Sequence, residues 1–96
     1  MKELILPVRR EYFEQIKSGE KKFEYRLMSC HWYTRLHKAP FDRIVITLGY
    51  PKKGDESKRL YRKWNGFIKE KVLHEEFGPK STLVFAIDVS EVWVSK

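Results

Sequence analysis

Leu60-Tyr61-Arg62-Lys63-Trp64-Asn65-Gly66-Phe67-Ile68-Lys69-Glu70-Lys71-Val72-Leu73-His74-Glu75-Glu76-Phe77 is the stretch on which the fold turns. Leu60, Trp64, Phe67, Ile68 and Val72 recur at helical spacing, so a basic amphipathic helix is one reading. Asn65-Gly66 stands in the middle of it, and a glycine inside a helix costs about 1 kcal/mol relative to alanine. The other reading bends the chain at Gly66 and makes Phe67 to Leu73 a strand, with Ile68 and Val72 on one face. The strand is preferred and the helix remains the alternative.

Working outward, Arg43 to Tyr50 carries the β-branched run Ile44-Val45-Ile46-Thr47 before Gly49 and Pro51, the pattern of a buried strand. Lys52 to Lys58 is a polar connection with Gly54-Asp55 as its turn signal. Leu83 to Val89 alternates as a strand and is expected to resume through Val92-Trp93-Val94. Towards the N-terminus, Leu4-Ile5-Leu6 reads as a short strand ended by Pro7, which has no N–H for a ladder. Arg10 to Ser18 reads as a helix with Tyr12, Phe13 and Ile16 on one face and Gly19 as its left-handed cap, although no good N-cap residue precedes it. In Lys22 to Leu27, Phe23, Tyr25 and Leu27 face one way, and Lys22, Glu24 and Arg26 the other. Tyr25 is therefore expected in the core. Ser29 is placed to cap a short helix over Cys30 to His37 that buries Trp32, Tyr33 and Leu36 and stops at Ala39-Pro40.

Five or six strands and one or two short helices suggest an α+β domain built as a small barrel, since closure removes exposed edges. The 96 residues suffice for one domain, 1–96, with one core. A 42% hydrophobic and 15% aromatic content is too apolar for a disordered chain, and no apolar run approaches the roughly 20 residues of a membrane span. The N-terminal apolar stretch is too short for a signal peptide. One cysteine, Cys30, excludes an intramolecular disulfide and a cysteine-based zinc cluster, and a buried thiol is expected there. His31 and His37 lack the spacing of a helical ligand pair, so neither a metal nor a cofactor is expected. A cytoplasmic monomer is the resulting expectation.

The formal net charge is +7, from 20 basic and 13 acidic side chains. The surplus is uneven. Lys52, Lys53, Lys58, Arg59, Arg62, Lys63, Lys69 and Lys71 fall in one run against Asp55, Glu56 and Glu70, whereas acids outnumber lysines after His74. A basic stripe attracts phosphates, and aromatic side chains interleaved with it provide stacking surfaces for bases. Tyr50, at a strand end beside Pro51-Lys52-Lys53, is the expected exposed ring, with Trp64 second.

A second cluster is more compact. In Gly19-Glu20-Lys21-Lys22-Phe23-Glu24-Tyr25-Arg26, Gly19 turns the chain sharply from helix to strand and Glu24 and Arg26 share a strand face. An arginine fork suits bidentate contacts and a lysine supplies a mobile point charge. In a cleft this set fits an anionic, hydrogen-bonding ligand such as a nucleotide. On a solvated face it is an ordinary ion pair.

The octapeptide is similar to the Gly-x-Lys-x-x-Glu-x-Arg motif of ASCH (activating signal cointegrator homology) domains, small barrels of the PUA-like superfamily. The order of elements from about Leu4 to Val89 agrees. Leu48-Gly49-Tyr50-Pro51-Lys52 and His74-x-x-Phe77-Gly78 resemble the short ASCH proteins of bacteriophage and bacterial genomes. The resemblance implies nucleic-acid binding, ribonuclease activity or deacetylation of acetylcytidine. In amidohydrolase-type members a motif lysine works with a threonine nucleophile three residues later. Lys21 matches the lysine, but Glu24 stands where the threonine would be, so that route loses its nucleophile. A glutamate can still act as general base towards water if burial raises its pKa.

The expected function is therefore RNA binding, or more broadly nucleic-acid binding. Lys21, Lys22, Glu24 and Arg26 would recognise a nucleotide, and Tyr50, Lys52, Lys53, Arg59, Arg62 and Lys63 would track the strand. Hydrolysis of RNA or a modified nucleoside, with Lys21 and Glu24 as catalytic candidates, is one alternative. Binding of a protein or nucleoprotein partner by a phage accessory protein is the other.

Overall fold

A computed structural model describes residues 1–74 and 78–94. Six strands and two α-helices follow one another as β1 (Glu3–Val8), α1 (Arg10–Ser18), β2 (Phe23–Leu27), α2 (Cys30–Leu36), β3 (Arg43–Leu48), β4 (Arg59–Lys63), β5 (Phe67–Val72) and β6 (Thr82–Asp88), with a 3₁₀ turn at Glu56–Lys58. The deciding stretch is two strands, not a helix. Gly66 takes φ +84°, where a side chain would be strained, and the chain passes there from β4 in one sheet to β5 in the other. Glu75, Glu76 and Phe77, and with them part of the His74–Gly78 stretch, lie outside the described residues.

The strands form two three-stranded sheets, ordered β1-β3-β4 and β2-β6-β5. β1 runs parallel to β3 with Leu4 opposite Ile44 and Leu6 opposite Ile46, and β4 is antiparallel on the other side. β6 lies between β2 and β5, antiparallel to both. The core gathers Leu4, Leu6 and Val8 of β1, Ile44 and Ile46 of β3, Phe85 and Ile87 of β6, Phe13 and Ile16 of α1, and Leu36 of α2. Being central, β6 buries Val84 to Ile87 on both faces, so its sequence alternation overstates its exposure.

Local chemistry sets the helix ends. Gly19 caps α1 at φ +87° with its N–H on the Ile16 carbonyl, and no side chain caps the N-terminus. The Ser29 hydroxyl accepts the Trp32 N–H at 3.3 Å to start α2. Of the three residues expected to be buried in α2, Leu36 is. Trp32 is half-buried, and Tyr33 is 56% exposed and stacked on His37.

Three further expectations are corrected. β1 continues through Pro7 to Val8. The Val8 carbonyl, pointing to β3, accepts from Gly49, so Pro7 directs its main chain to the open edge and sacrifices no ladder bond. Cys30 is exposed. The stretch after β6 does not resume as a strand; it runs beside β4 through a single bridge, Val92 to Arg62.

Candidate functional site

β2 orients the site by reversing its apparent polarity. Its outward side carries Leu27, 47% exposed, while Glu24 on the charged side is only 6% exposed. Alternation separates the two faces of a strand but does not say which is covered. Here the Glu24 and Arg26 side chains turn into a cleft of about 630 Å³, joined by Lys21 from the turn after α1. The three motif residues thus converge on one concave surface.

Within it, Arg26 Nη2 donates to Glu24 Oε2 at 2.8 Å and to the Pro7 carbonyl at 2.7 Å. Lys21 Nζ stands 3.8 Å from the other carboxylate oxygen, Oε1. The ammonium also sits over two rings, 4.7 Å from the centre of Tyr25 and 5.2 Å from that of Tyr12. The Arg26 guanidinium lies 4.9 Å from the Trp32 ring. Each cation is therefore held between a carboxylate and an aromatic face, a low-dielectric setting in which cation–π contacts strengthen. Burial pushes the Glu24 carboxyl above its ordinary value, and the charges of Arg26 and Lys21 offset only part of that rise. Arg26 Nε is buried with no hydrogen-bond acceptor among the described residues.

Tyr12, Tyr25 and Trp32 line the cleft, with Tyr50 and His74 also contributing. Tyr25 is half-buried and belongs to this lining, which corrects its expected place in the core. The sequence hid Tyr12 and Trp32 among the core positions of two amphipathic helices; their proximity to Lys21 and Arg26 arises only in the tertiary structure. Tyr50 is 92% exposed at the mouth of the site. Trp64, in contrast, is half-buried edge-on against Phe41 at 5.0 Å.

The remaining basic candidates separate by environment. Lys22 is exposed outside the cleft lining, as are Lys52 and Lys53. Arg59 Nη1 donates to the carbonyls of Asp55 and Lys52 at 2.7 and 3.1 Å. Lys63 pairs with Glu91 at 3.5 Å, and Lys58 with Asp55 at 3.6 Å. Arg62 is 6% exposed and gives all three guanidinium nitrogens to carbonyls: Nε to Val89, Nη1 to Tyr61 and Nη2 to Ile16. It sits inside the protein, not on the basic surface. Among the described residues, no three His, Cys, Asp or Glu side chains are grouped to hold a metal ion, and no helix is long and apolar enough to cross a membrane.

No family model, curated protein or solved structure matches the chain. The cleft must be read from its own chemistry. It offers the cations Arg9, Lys21 and Arg26, one desolvated carboxylate and several rings: a surface for a flat, polar, anionic ligand.

Proposed function

We propose that the chain is an RNA-binding domain of the ASCH type that takes one unstacked nucleotide into the Lys21–Glu24–Arg26 cleft. The observation that carries this reading is the convergence of those three side chains beside Tyr12, Tyr25 and Trp32. Single-stranded RNA is recognised through splayed bases that stack on rings and hydrogen-bond by their edges. Stacking contributes about 1–3 kcal/mol per base, and Lys52, Lys53, Lys69 and Lys71 add sequence-independent attraction. A small PUA-like barrel accords with the two sheets being tied by side chains: Arg26 to Pro7 on one flank and Arg62 to Val89 on another. The domain is proposed to act as a cytoplasmic monomer.

Titration of single-stranded RNA by fluorescence anisotropy at about 50 and 200 mM salt tests the reading. Affinity should fall with a log–log slope of roughly 0.7 for each neutralised phosphate. Trp32→Ala and Lys21→Ala should each weaken binding about tenfold, the loss of one stacked or charge-assisted contact. Absence of binding at the lower salt, or equal affinity at both, refutes it.

A hydrolytic second reading draws on one observation, the raised pKa of Glu24 beside Lys21 in a cleft. Such a carboxylate suits general-base activation of water. RNA and acetylcytidine left intact by the protein, at rates no different from those with Lys21→Ala, would remove this reading.

A further inference from the structure

The hydrogen-bonding capacity left open in the cleft is specific enough to name a base. Arg26 Nη2 has two hydrogens, and both are used, on Pro7 O at 2.7 Å and Glu24 Oε2 at 2.8 Å. Arg26 is thereby anchored to the main chain of β1 and fixes the carboxylate of Glu24. Oε1 lies 3.8 Å from the Lys21 ammonium, beyond hydrogen-bond reach. The Tyr25 main-chain N–H also donates to the carboxylate, which with about four lone-pair sites still has acceptor capacity left. A buried carboxylate with unfilled acceptor sites is costly, and an N–H donor entering the cleft removes that cost. Lys21 Nζ, with three donors, stands on the Oε1 side, held over Tyr25 and Tyr12.

In order across the site, the protein presents a donor (Lys21), an acceptor (Oε1) and an acceptor (Oε2). Guanine presents the complement on its Watson–Crick edge: O6 as acceptor, then N1–H and N2–H as adjacent parallel donors. Uracil offers a single N–H between two carbonyls and fills two of the three positions. Adenine and cytosine each bring a ring-nitrogen lone pair against the carboxylate, which is repulsive. Among the four bases, guanine alone can satisfy both carboxylate oxygens at once.

We infer that the cleft selects guanine, reading N1–H and N2–H with the Glu24 carboxylate and O6 with the Lys21 ammonium, while Arg26 acts as the positioning residue. The inference rests on the nucleotide-binding reading above and adds the identity of the base.

The test is a set of uridine heptamers differing only in the central base, titrated against the intact chain. Guanine at the centre should bind about tenfold or more tightly than adenine, cytosine or uracil, the usual discrimination of a bidentate contact. Inosine, which lacks the N2 amine, should fall between guanine and the rest, and 1-methylguanine should lose the advantage. These ligand changes need no altered protein. Glu24→Gln should abolish the preference for guanine, because an amide cannot accept two parallel N–H groups. Heptamers that bind equally whatever the central base overturn the guanine assignment and leave RNA binding standing. Inosine binding as well as guanine overturns the N2 contact. Failure of every heptamer to bind overturns both the assignment and the function beneath it.

Discussion

Arg26 and Arg62 each bond a main-chain carbonyl, but Arg26 shares its Nη2 with the Glu24 carboxylate in the cleft, whereas Arg62 gives its whole guanidinium to the backbone. Arg62 donates to main-chain carbonyls of α1, of β4 and of the segment after β6. Truncating it strands those acceptors, each at about 1–3 kcal/mol when buried. Arg62→Ala should therefore lower stability by about 3 kcal/mol, read as a shift in urea midpoint at unchanged m-value. Arg62→Lys should recover little, since an ammonium lacks the planar fork. Glu24 makes a pH-dependent prediction. Its carboxyl pKa is raised in the folded state, so the native protein binds more protons than the unfolded chain as pH climbs past the ordinary glutamate range. The stabilising contribution is full below the unfolded pKa and is lost as pH rises through the folded one. The stability of the parent minus that of Glu24→Gln should fall across this window, and a flat difference would contradict the desolvation of Glu24. None of this division of labour was readable from a basic run in the sequence. Which arginine is buried depends on which carbonyls the tertiary fold leaves without partners.

At the scale of elements, legibility followed the strength of local chemistry. α1 lies where its apolar face and Gly19 place it, and β3 where its β-branched run places it. Gly66 resolved the ambiguous stretch, because its positive φ is incompatible with a continuous helix. An added Cβ there meets nothing within 4 Å, so Gly66→Ala should cost only the backbone strain, about 1 kcal/mol, measurable by thermal or urea unfolding. A much larger loss would show that the turn between β4 and β5 tolerates no adjustment. The inward side of β2 was beyond the sequence. Polarity argues for turning Glu24 and Arg26 to water, and only the partners supplied by β1 and Lys21 make their burial tolerable. Pro7 likewise reads as a stop until β1 is seen to be an edge, where a missing N–H costs nothing.

Across the whole molecule, the +7 surplus is not one field with one purpose. Part of it is structural in Arg59 and Arg62, part is paired on the surface, and Lys21 and Arg26 meet in the cleft. The cleft also reaches back into the sheet. Along the free edge of β1, the Pro7 carbonyl is taken by Arg26, the Ile5 carbonyl accepts Arg35 Nη2 at 3.4 Å, and the proline offers no donor. A foreign strand approaching this edge finds two of its carbonyls engaged and one donor missing, which works against edge-to-edge aggregation. Arg26→Ala should reopen part of that edge, and light scattering at high protein concentration should detect more self-association than in the parent. Lys21→Ala, which alters the cleft and leaves the edge intact, should not show it. Selection acting on Arg26 for ligand choice would then act on solubility as well, and a variant with altered specificity at this position would carry a colloidal penalty unrelated to what it binds.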